Sequence, residues 1–506
     1  MSITKKLILS LKKNLNRNAI LFNKKKITYD ELYKNSLNLV NKLDLYKFEK
    51  ILIVCQNNID CYEIILSSLI TSTTYIPISS FYDIKKKISI INESKSSLIY
   101  TDDVNYKILI KNKLQLNKSI KYIYNCEKKI IFKLSNYKIT DKISLKIKLK
   151  KNKIPIYIMY TSGSTGKPKA VPIYEKNLNA YIKNIEKFIK IKPNDISSSN
   201  FDIGFDLSVH DIFLTWLKGA CLCVPTKLDY FNMRKFINTN KITIWFSVPS
   251  LISQMYKFKQ LKKNDLESIR LSLFCGEPLL TYQLNNWINA CQNTKIFNLY
   301  GPTEATIAIS VYKIEKQSLD LKKNNIVSIG QIFKDHRFKL IDKNKKIQKE
   351  KGELIVSGPQ ITNGYLNNNL ENKKKFIEFD SRIWYCTGDI VKVYNKQLEY
   401  LGRVDRQLKI NGIRIETQEI ENKLRMFIKN SEVIILNIEK NLDTNGEKKL
   451  NLFINDIFKK NDNQIHKFII NNLPKFCIPN KIIRLKKFPI NKNGKMDYEK
   501  LKDYAK

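Results

Sequence analysis

The sequence predicts an α/β fold with more than one domain, on three observations. Helical and strand-like apolar patterns alternate from Ile27 to Tyr160, and the same rhythm returns from Ile156 to Tyr312 with Gly-containing turns placed after strand-like runs. A β-rich stretch with turn residues then runs to about Gly402, and the last hundred residues repeat a small α/β pattern. At 506 residues the chain is also too long for one simple core.

Taken in order, ITYDELYKNSLNLVNKL carries apolar residues at helical spacing, whereas ILIVC (51–55), YIPI (75–78) and SLIYTDD (97–103) read as short buried strands. Residues 104–153 are lysine-rich, and the alternation in KISLKIKLK suits an edge strand. GELIVSG and QLEYLGR read as strands of the β-rich stretch. ETQEIENKLRMF reads as a helix, EVIILNI and LNLFIND as strands, and a further helix precedes a Lys/Gly-containing tail. GRVDRQLK, around Asp405, marks a domain boundary and divides the chain into 1–403 and 404–506.

Composition excludes several classes. Hydrophobic residues make up 43% of the chain, enough for a buried interior, and 15 Gly with 13 Pro exclude collagen-like sequence. No apolar run approaches the length of a membrane span. At the start, Ser10 breaks the apolar run Leu7–Leu11 and no small-residue cleavage site follows Lys12-Lys13, so a cytoplasmic protein without a secretion signal is expected. Nine cysteines without a C-x-x-C and three histidines supply neither a zinc site nor a disulfide framework; reduced thiols are expected. The net charge of +43 could signal nucleic acid, but the lysine excess is spread along the chain with abundant Asn and Ile and no nucleic-acid motif accompanies it. A solvated lysine-rich surface is the expectation, with no specific nucleic-acid partner.

The strongest local signal is Tyr160-Thr161-Ser162-Gly163-Ser164-Thr165-Gly166-Lys167-Pro168-Lys169, after the strand-like IPIYIM. Small hydroxylated residues and glycines let backbone N–H groups and Oγ atoms surround phosphate oxygens, and lysines add positive charge. It is not a Walker loop, because Gly163 and Gly166 are three apart and Lys167 precedes Pro168.

YTSGSTGKPK resembles the signature of adenylate-forming enzymes, the superfamily of acyl-CoA synthetases, luciferases and nonribosomal-peptide adenylation domains. The resemblance covers nearly the whole chain. ITYDEL (27–32), TYIPI (74–78), FDLSVHD (205–211), NLYGPTEAT (298–306) and GELIVSGPQITNGYLN follow in register, then YCTGD (385–389), GRVDRQLKINGIRIE (402–416), LPKFCIP (473–479) and NKNGKMD (491–497). It implies a large N-terminal domain of stacked α/β sheets with a small β-barrel-like subdomain, and a small, mobile α+β C-terminal domain.

The resemblance also implies roles. Thr161, Ser162, Thr165 and Lys169 would sit on the β/γ-phosphates of ATP, within a loop that includes Gly163, Ser164, Gly166 and Lys167. Thr303 would touch the α-phosphate and Glu304 would hold Mg²⁺. Tyr300 would offer a flat face to adenine, with Asn298 and Gly276 near its edge. Asp389 would accept from both ribose hydroxyls, and Arg403 would reach ribose or phosphate. Lys495 would be a mobile catalytic lysine bridging the substrate carboxylate and the α-phosphate. Asp405 would be the hinge about which the small domain turns, bringing Lys409 inward.

FDLSV is the form found in amino-acid adenylation enzymes, where the aspartate, here Asp206, pairs with the substrate α-ammonium. The alternative is that Asp206 caps the helix starting near Leu207. The remaining pocket positions would be Leu207, His210, Phe246, Leu273, Cys275, Leu299, Ile307 and Ala308, with Lys495 closing the carboxylate end. This apolar, rather full lining suits a small uncharged amino acid and excludes Glu, Arg and Lys. LFCGEPL resembles stand-alone ligases that load D-alanine or L-proline onto carrier proteins, and Leu299 leans towards proline or another compact apolar side chain. His210 reads as wall rather than catalyst. The sequence to Lys506 holds no carrier-like segment, so the expected acceptor is the phosphopantetheine thiol of a separate carrier protein.

Two positions depart from the pattern. Ala170 replaces a usual Gly and would cost about 1 kcal/mol if its φ were positive. Cys386 replaces a usual Arg or Lys of the Y-x-T-G-D motif. The leading expectation is an amino acid–carrier protein ligase; an acyl- or aryl-CoA ligase and a degenerate basic binding protein are the alternatives.

Overall fold

A computed structural model describes residues 2–136, 138–140, 154–161, 168–315, 326–405, 407–410, 413–428, 433–439, 448–455, 461–473, 477–489 and 498–504. The predicted edge strand KISLKIKLK lies outside them. The fold is the mixed α/β arrangement the sequence predicts. Among the described residues it has two large sheets of nine and eight strands, a six-stranded sheet, and smaller sheets after Asp405.

Five neighbouring strands of the nine-stranded sheet run parallel at its centre. In spatial order they are Lys295–Tyr300, Leu271–Phe274, Ile244–Ser247, Ile196–Ser198 and Cys221–Val224, with Asn18–Phe22 continuing in parallel on the far side. In the eight-stranded sheet, Lys50–Val54 lies between Thr74–Pro77 and Leu98–Thr101, and Tyr157–Thr161 pairs with Thr74–Pro77. Strands buried on both faces read as unbroken apolar runs, which is why LIYT and CLCV carry no alternation.

The main core fills the space between the two sheets. Helix Leu207–Leu217 is apolar nearly all round, and every residue from Leu207 to Trp216 is buried; such a helix has no solvent face to offer. Helix Tyr29–Leu43 is set by a capping box, with Thr28 accepting from the Glu31 N–H and the Glu31 side chain accepting from the Thr28 N–H. Strand periodicity sorts the side chains: Leu271, Leu273 and Cys275 face this core, whereas Phe274 faces a second core with Trp245 and Trp287.

The β-rich stretch forms the six-stranded antiparallel sheet, whose long strand Arg382–Tyr394 pairs with Lys351–Ser357 and Gln397–Arg403. Beyond Asp405 the chain builds a core of its own around Ile420, Leu424, Leu452, Ile465 and Ile469, against which Phe205 packs. Ala170 lies in strand Lys169–Ile173 and is not among the positive-φ residues, so the absent glycine costs nothing. Cys386 is buried with Trp384 and Ile355, a packing position rather than a surface contact. The nine cysteines, all described and all buried, form no disulfide. No helix among the described residues is long and apolar enough to cross a membrane.

Candidate active site

Parallel strands end where their connections must turn, and ligands bind in the crevice beyond those carboxyl ends. Here a cavity of about 570 Å³ lies beyond the carboxyl ends of strands from both large sheets. Cys275 and Gly276, Gly301 to Thr303, Val248, Asn200 and Pro225 enter it from the nine-stranded sheet. Gln56, Ser80 and Met159 to Thr161 enter from the eight-stranded sheet, and Thr387, Asp389 and Arg403 from the six-stranded one.

One end is a charged network. The Tyr300 hydroxyl donates to Asp389 Oδ2 at 2.6 Å, and Arg403 Nη1 donates to Asp389 Oδ1 at 2.5 Å. Burial, then the Asp389 charge, hold the Tyr300 phenol well above its usual range, so it stays a donor. Arg403 also forks onto Asp405, Nε to Oδ1 at 2.6 Å and Nη2 to Oδ2 at 2.9 Å. Gly388 makes room for this fork: its φ is +77°, and a Cβ there would lie 2.6 Å from Arg403 Nη2. Gly276, at the end of the strand carrying Cys275, is also left-handed with φ +92°. Asn298 donates from Nδ2 to the Ser328 carbonyl, while its buried Oδ1 makes no hydrogen bond among the described residues. Neither Asn298 nor Tyr300, both expected against adenine, is among the residues lining the cavity; Tyr300 packs in the core under the six-stranded sheet.

Thr161 ends its strand in the cavity, and its buried Oγ1 likewise makes no hydrogen bond among the described residues. Ser162 to Lys167 lie outside those residues, as does Lys495. Lys169, expected on phosphate, is instead enclosed: its Nζ sits 2.7 Å from Glu371 Oε2 and 5.5 Å over the Tyr365 ring. A buried ammonium needs a counter-charge, and Glu371 supplies it. Lys409 falls on the hairpin strand Gln407–Ile410.

Glu304, expected on Mg²⁺, is fully buried, accepts from the Tyr365 hydroxyl at 2.6 Å, and does not line the cavity. No cluster of three or more acidic, Cys or His groups able to hold a metal exists among the described residues. Turned into the core against Tyr365, this carboxylate does not fit a metal ligand facing the cavity. The loop after it is tied by Gln360, which donates to the carbonyls of Ala305 and Ala308. Thr306 and Ile307 are held there with φ of +57° and +72°, an unfavourable state for β-branched residues, with Ile307 in the cavity wall.

Asp206 lines the cavity. It occupies the N-cap position of helix Leu207–Leu217, but its side chain makes no capping hydrogen bond, contrary to the capping alternative. Leu207, Cys275 and Ile307 join it in the wall. Five other expected pocket residues do not. His210, Phe246, Leu273, Leu299 and Ala308 are buried in the core behind that wall. Phe246, Leu273 and Leu299 sit inside their strands, short of the carboxyl edge where the cavity lies. The His210 ring packs 4.4 Å from the Phe246 ring, and its Nδ1 lies 2.5 Å from the Tyr181 hydroxyl. Burial pushes the imidazole down to about 3, so it is neutral and shares one proton with the phenol across this contact. Tyr181, Gln360, Tyr365 and Glu371 escaped the sequence reading. Only Gln360 and Tyr365 stood inside a quoted motif, and nothing local marked their long-range partners.

Residues 9–366 match the family described as AMP-binding enzyme. Gramicidin S synthase 2 of Brevibacillus brevis is 31% identical over 350 residues, covering 67% of this chain but 8% of the synthase. The D-alanine–D-alanyl carrier protein ligase of Bacillus licheniformis is 30% identical over 362 residues, 69% of this chain and 70% of the ligase. Among solved structures, the Vibrio cholerae adenylation domain AlmE in complex with glycyl-adenosine-5'-phosphate superposes with a TM-score of 0.83 at 26% identity. That likeness covers 99% of this chain and 97% of AlmE.

Proposed function

The chain belongs to the AMP-binding enzyme family, and from that premise we propose that it activates a small uncharged amino acid with ATP and passes it to the thiol of a separate phosphopantetheinyl carrier protein. The observation that carries this reading is the placement of Asp206, Thr303 and Asp389 around one cavity. A carboxylate lining a cavity attracts a cation into it, and an amino acid brings one on the atom next to its own carboxylate.

In the first half-reaction a substrate carboxylate oxygen attacks the α-phosphorus, the bond to the β-phosphate bridging oxygen breaks, and pyrophosphate leaves. Asp206 holds the ammonium, Asp389 receives the ribose hydroxyls, and Tyr300 with Arg403 fixes the Asp389 carboxylate for that task. Thr303 meets the α-phosphate, and Lys495 bridges the two anions as they join. In the second half-reaction a thiolate attacks the acyl carbon and AMP leaves. Residues 404–506 form the mobile part, turning about Asp405, and the Arg403 fork is the contact that turn must rearrange.

The amino acid is small because the wall at Leu207, Cys275 and Ile307 is backed by packed His210 and Phe246 rather than by space. The names of two relatives support this, since glycine and D-alanine carry nothing larger than a methyl group. Consumption of ATP supports a cytoplasmic setting. Pyrophosphate exchange against the twenty standard amino acids, D-alanine and several aryl acids tests the proposal. The fastest exchange is expected with a small uncharged amino acid; fastest exchange with an acid lacking an amine would replace it with a CoA ligase. Exchange with none would refute it.

A further inference from the structure

Asp206 stands at the head of helix Leu207–Leu217, and its backbone is delivered there by the loop that follows strand Ile196–Ser198. That loop belongs by sequence to the nine-stranded sheet but is tied to the eight-stranded half of the molecule. The Tyr62 hydroxyl, on helix Ile59–Ile70, lies 3.0 Å from the Ser199 hydroxyl. Asn57, just beyond strand Lys50–Val54, donates to the Phe201 carbonyl at 2.6 Å and accepts from the Ile203 N–H at 3.2 Å. Between these two backbone groups Asp202 reaches out with a charge. Its Oδ2 accepts from the Ser80 N–H at 3.0 Å and from the Ser80 hydroxyl at 2.6 Å, and its Oδ1 accepts from the Gly204 N–H at 2.9 Å. The loop closes tightly on this contact, since a Cβ at Gly204 would lie 2.5 Å from the Ser79 nitrogen.

Ser80 belongs to a turn after strand Thr74–Pro77 in which the Tyr82 N–H returns to the Ser79 carbonyl at 3.3 Å. The other end of the turn is fixed as well. The Tyr82 hydroxyl donates to the Tyr160 carbonyl at 3.3 Å, one residue before Thr161 ends its strand. Ser80, Tyr82, Tyr160 and Asp202 all line the cavity. The turn therefore braces the loop that presents Asp206 against the strand that ends at Thr161. Helix Leu207–Leu217 does not fix the Asp206 side chain through a cap. We infer that Asp202 is a positioning residue: clamped on Ser80, it fixes the loop that aims Asp206 at the substrate ammonium, at a set distance from the phosphate end of the cavity. The inference rests on the amino-acid-activating function proposed above. A carboxylate suits the task, because hydrogen bonds to an ionised acceptor are roughly twice as strong as neutral ones. Both Asp202 oxygens are engaged by this chain's own donors, as befits a holder rather than a ligand contact. Precision matters there, since a misplacement of about 1 Å in such a site can cost about a hundredfold in rate.

Two stable analogues isolate the ammonium contact: the aminoacyl sulfamoyladenosine of the amino acid that exchanges fastest, and its des-amino counterpart. Calorimetry on the full chain measures the affinity for each. Wild type should favour the amine-bearing analogue by at least about tenfold. Asp202→Ala should cut that preference by at least about fivefold, while the des-amino analogue binds within about twofold of its wild-type affinity. Asp202→Asn, whose remaining oxygen can still accept from Ser80, should lie between. Ser80→Ala removes one donor and leaves the carboxylate in place; it should lower the preference by about two- to fivefold, and it decides the matter if Asp202→Ala does not fold. A preference unchanged in both Asp202→Ala and Ser80→Ala would overturn the positioning role. Equal losses for the two analogues would overturn it as well, because they report general damage to the fold. Preference lost in Asp202→Ala yet intact in Ser80→Ala would do the same, making Asp202 itself the ligand of the ammonium. A wild type that exchanges pyrophosphate with no acid, or binds both analogues equally, would instead remove the proposed function beneath it.

Discussion

Lys169 and Glu371 stand 202 residues apart in sequence and meet in a buried pair, 3% and 9% exposed at the side chain, 2.7 Å from Nζ to Oε2. Glu371→Ala leaves the ammonium enclosed and, among the described residues, facing the Tyr365 ring without its carboxylate. Breaking one side of a buried pair costs about 3–5 kcal/mol, far more than a surface pair would. Glu371→Gln keeps a carbonyl acceptor at the same reach and loses only the charge, a deficit of about 1.5–3 kcal/mol. The carboxyl also sets a pH signature. Burial pushes it up, but the hydrogen bond and charge from Lys169, with Lys374 nearby, outweigh burial and leave it below its usual range. A depressed folded pKa means the contribution is complete above the unfolded carboxyl value near ~4.3 and disappears as pH falls through the folded one. Urea unfolding followed by tryptophan emission reads this directly, because Trp216, Trp245, Trp287 and Trp384 are all buried in the region before Asp405. The expected order is wild type, then Gln, then Ala, with the gaps constant from pH 6 to 8 and closing below about pH 4. A Glu371→Ala midpoint equivalent to less than ~0.5 kcal/mol of loss, or a gap that widens in acid, would refute the reasoning.

Three further outcomes are expected. Asp206→Asn should lower kcat/KM for the amino acid by about 10²–10³ in pyrophosphate exchange, the equivalent of ~3–4 kcal/mol, and leave KM for ATP within about twofold; equal loss towards both substrates would count against its pairing with the ammonium. Lys495→Ala should abolish exchange while equilibrium ATP binding changes little, and near-normal exchange would remove its catalytic assignment. Asp211, in helix Leu207–Leu217, has both carboxylate oxygens buried without a hydrogen bond among the described residues, and burial pushes its pKa well above the usual range. The folded chain therefore keeps a proton that the unfolded chain releases near ~3.9, so stability falls as pH rises from there towards the folded value. Asp211→Asn should remove that slope, gaining ~1.4 kcal/mol per pH unit relative to wild type in urea titrations above about pH 4; parallel pH profiles would show the carboxyl is not neutral.

Much of the architecture was legible because it is written in local periodicity. Apolar runs gave the buried strands, and turn residues marked where many of them stop, hence where a crevice opens. The candidate site was legible in parts. Cys275 and Thr303 stand just beyond strand ends, Asp206 at the start of a helix and Asp389 inside the long strand Arg382–Tyr394, and all four line the cavity. Phe246, Leu273 and Leu299 belong to the same motifs yet fall short of the edge by a residue or more, a distance fixed by register with neighbouring strands.

The chain's own order of residues determined which segments form strands and helices and which short runs carry phosphate and carboxylate chemistry, because those depend on spacing within a few residues. Tertiary structure alone decided that Lys169 is paired by Glu371, that Glu304 turns into the core against Tyr365, and that one cavity joins Asp206, Thr303 and Asp389. Those outcomes depend on which distant segments meet when the two sheets close over one core, and no spacing along the chain encodes that meeting.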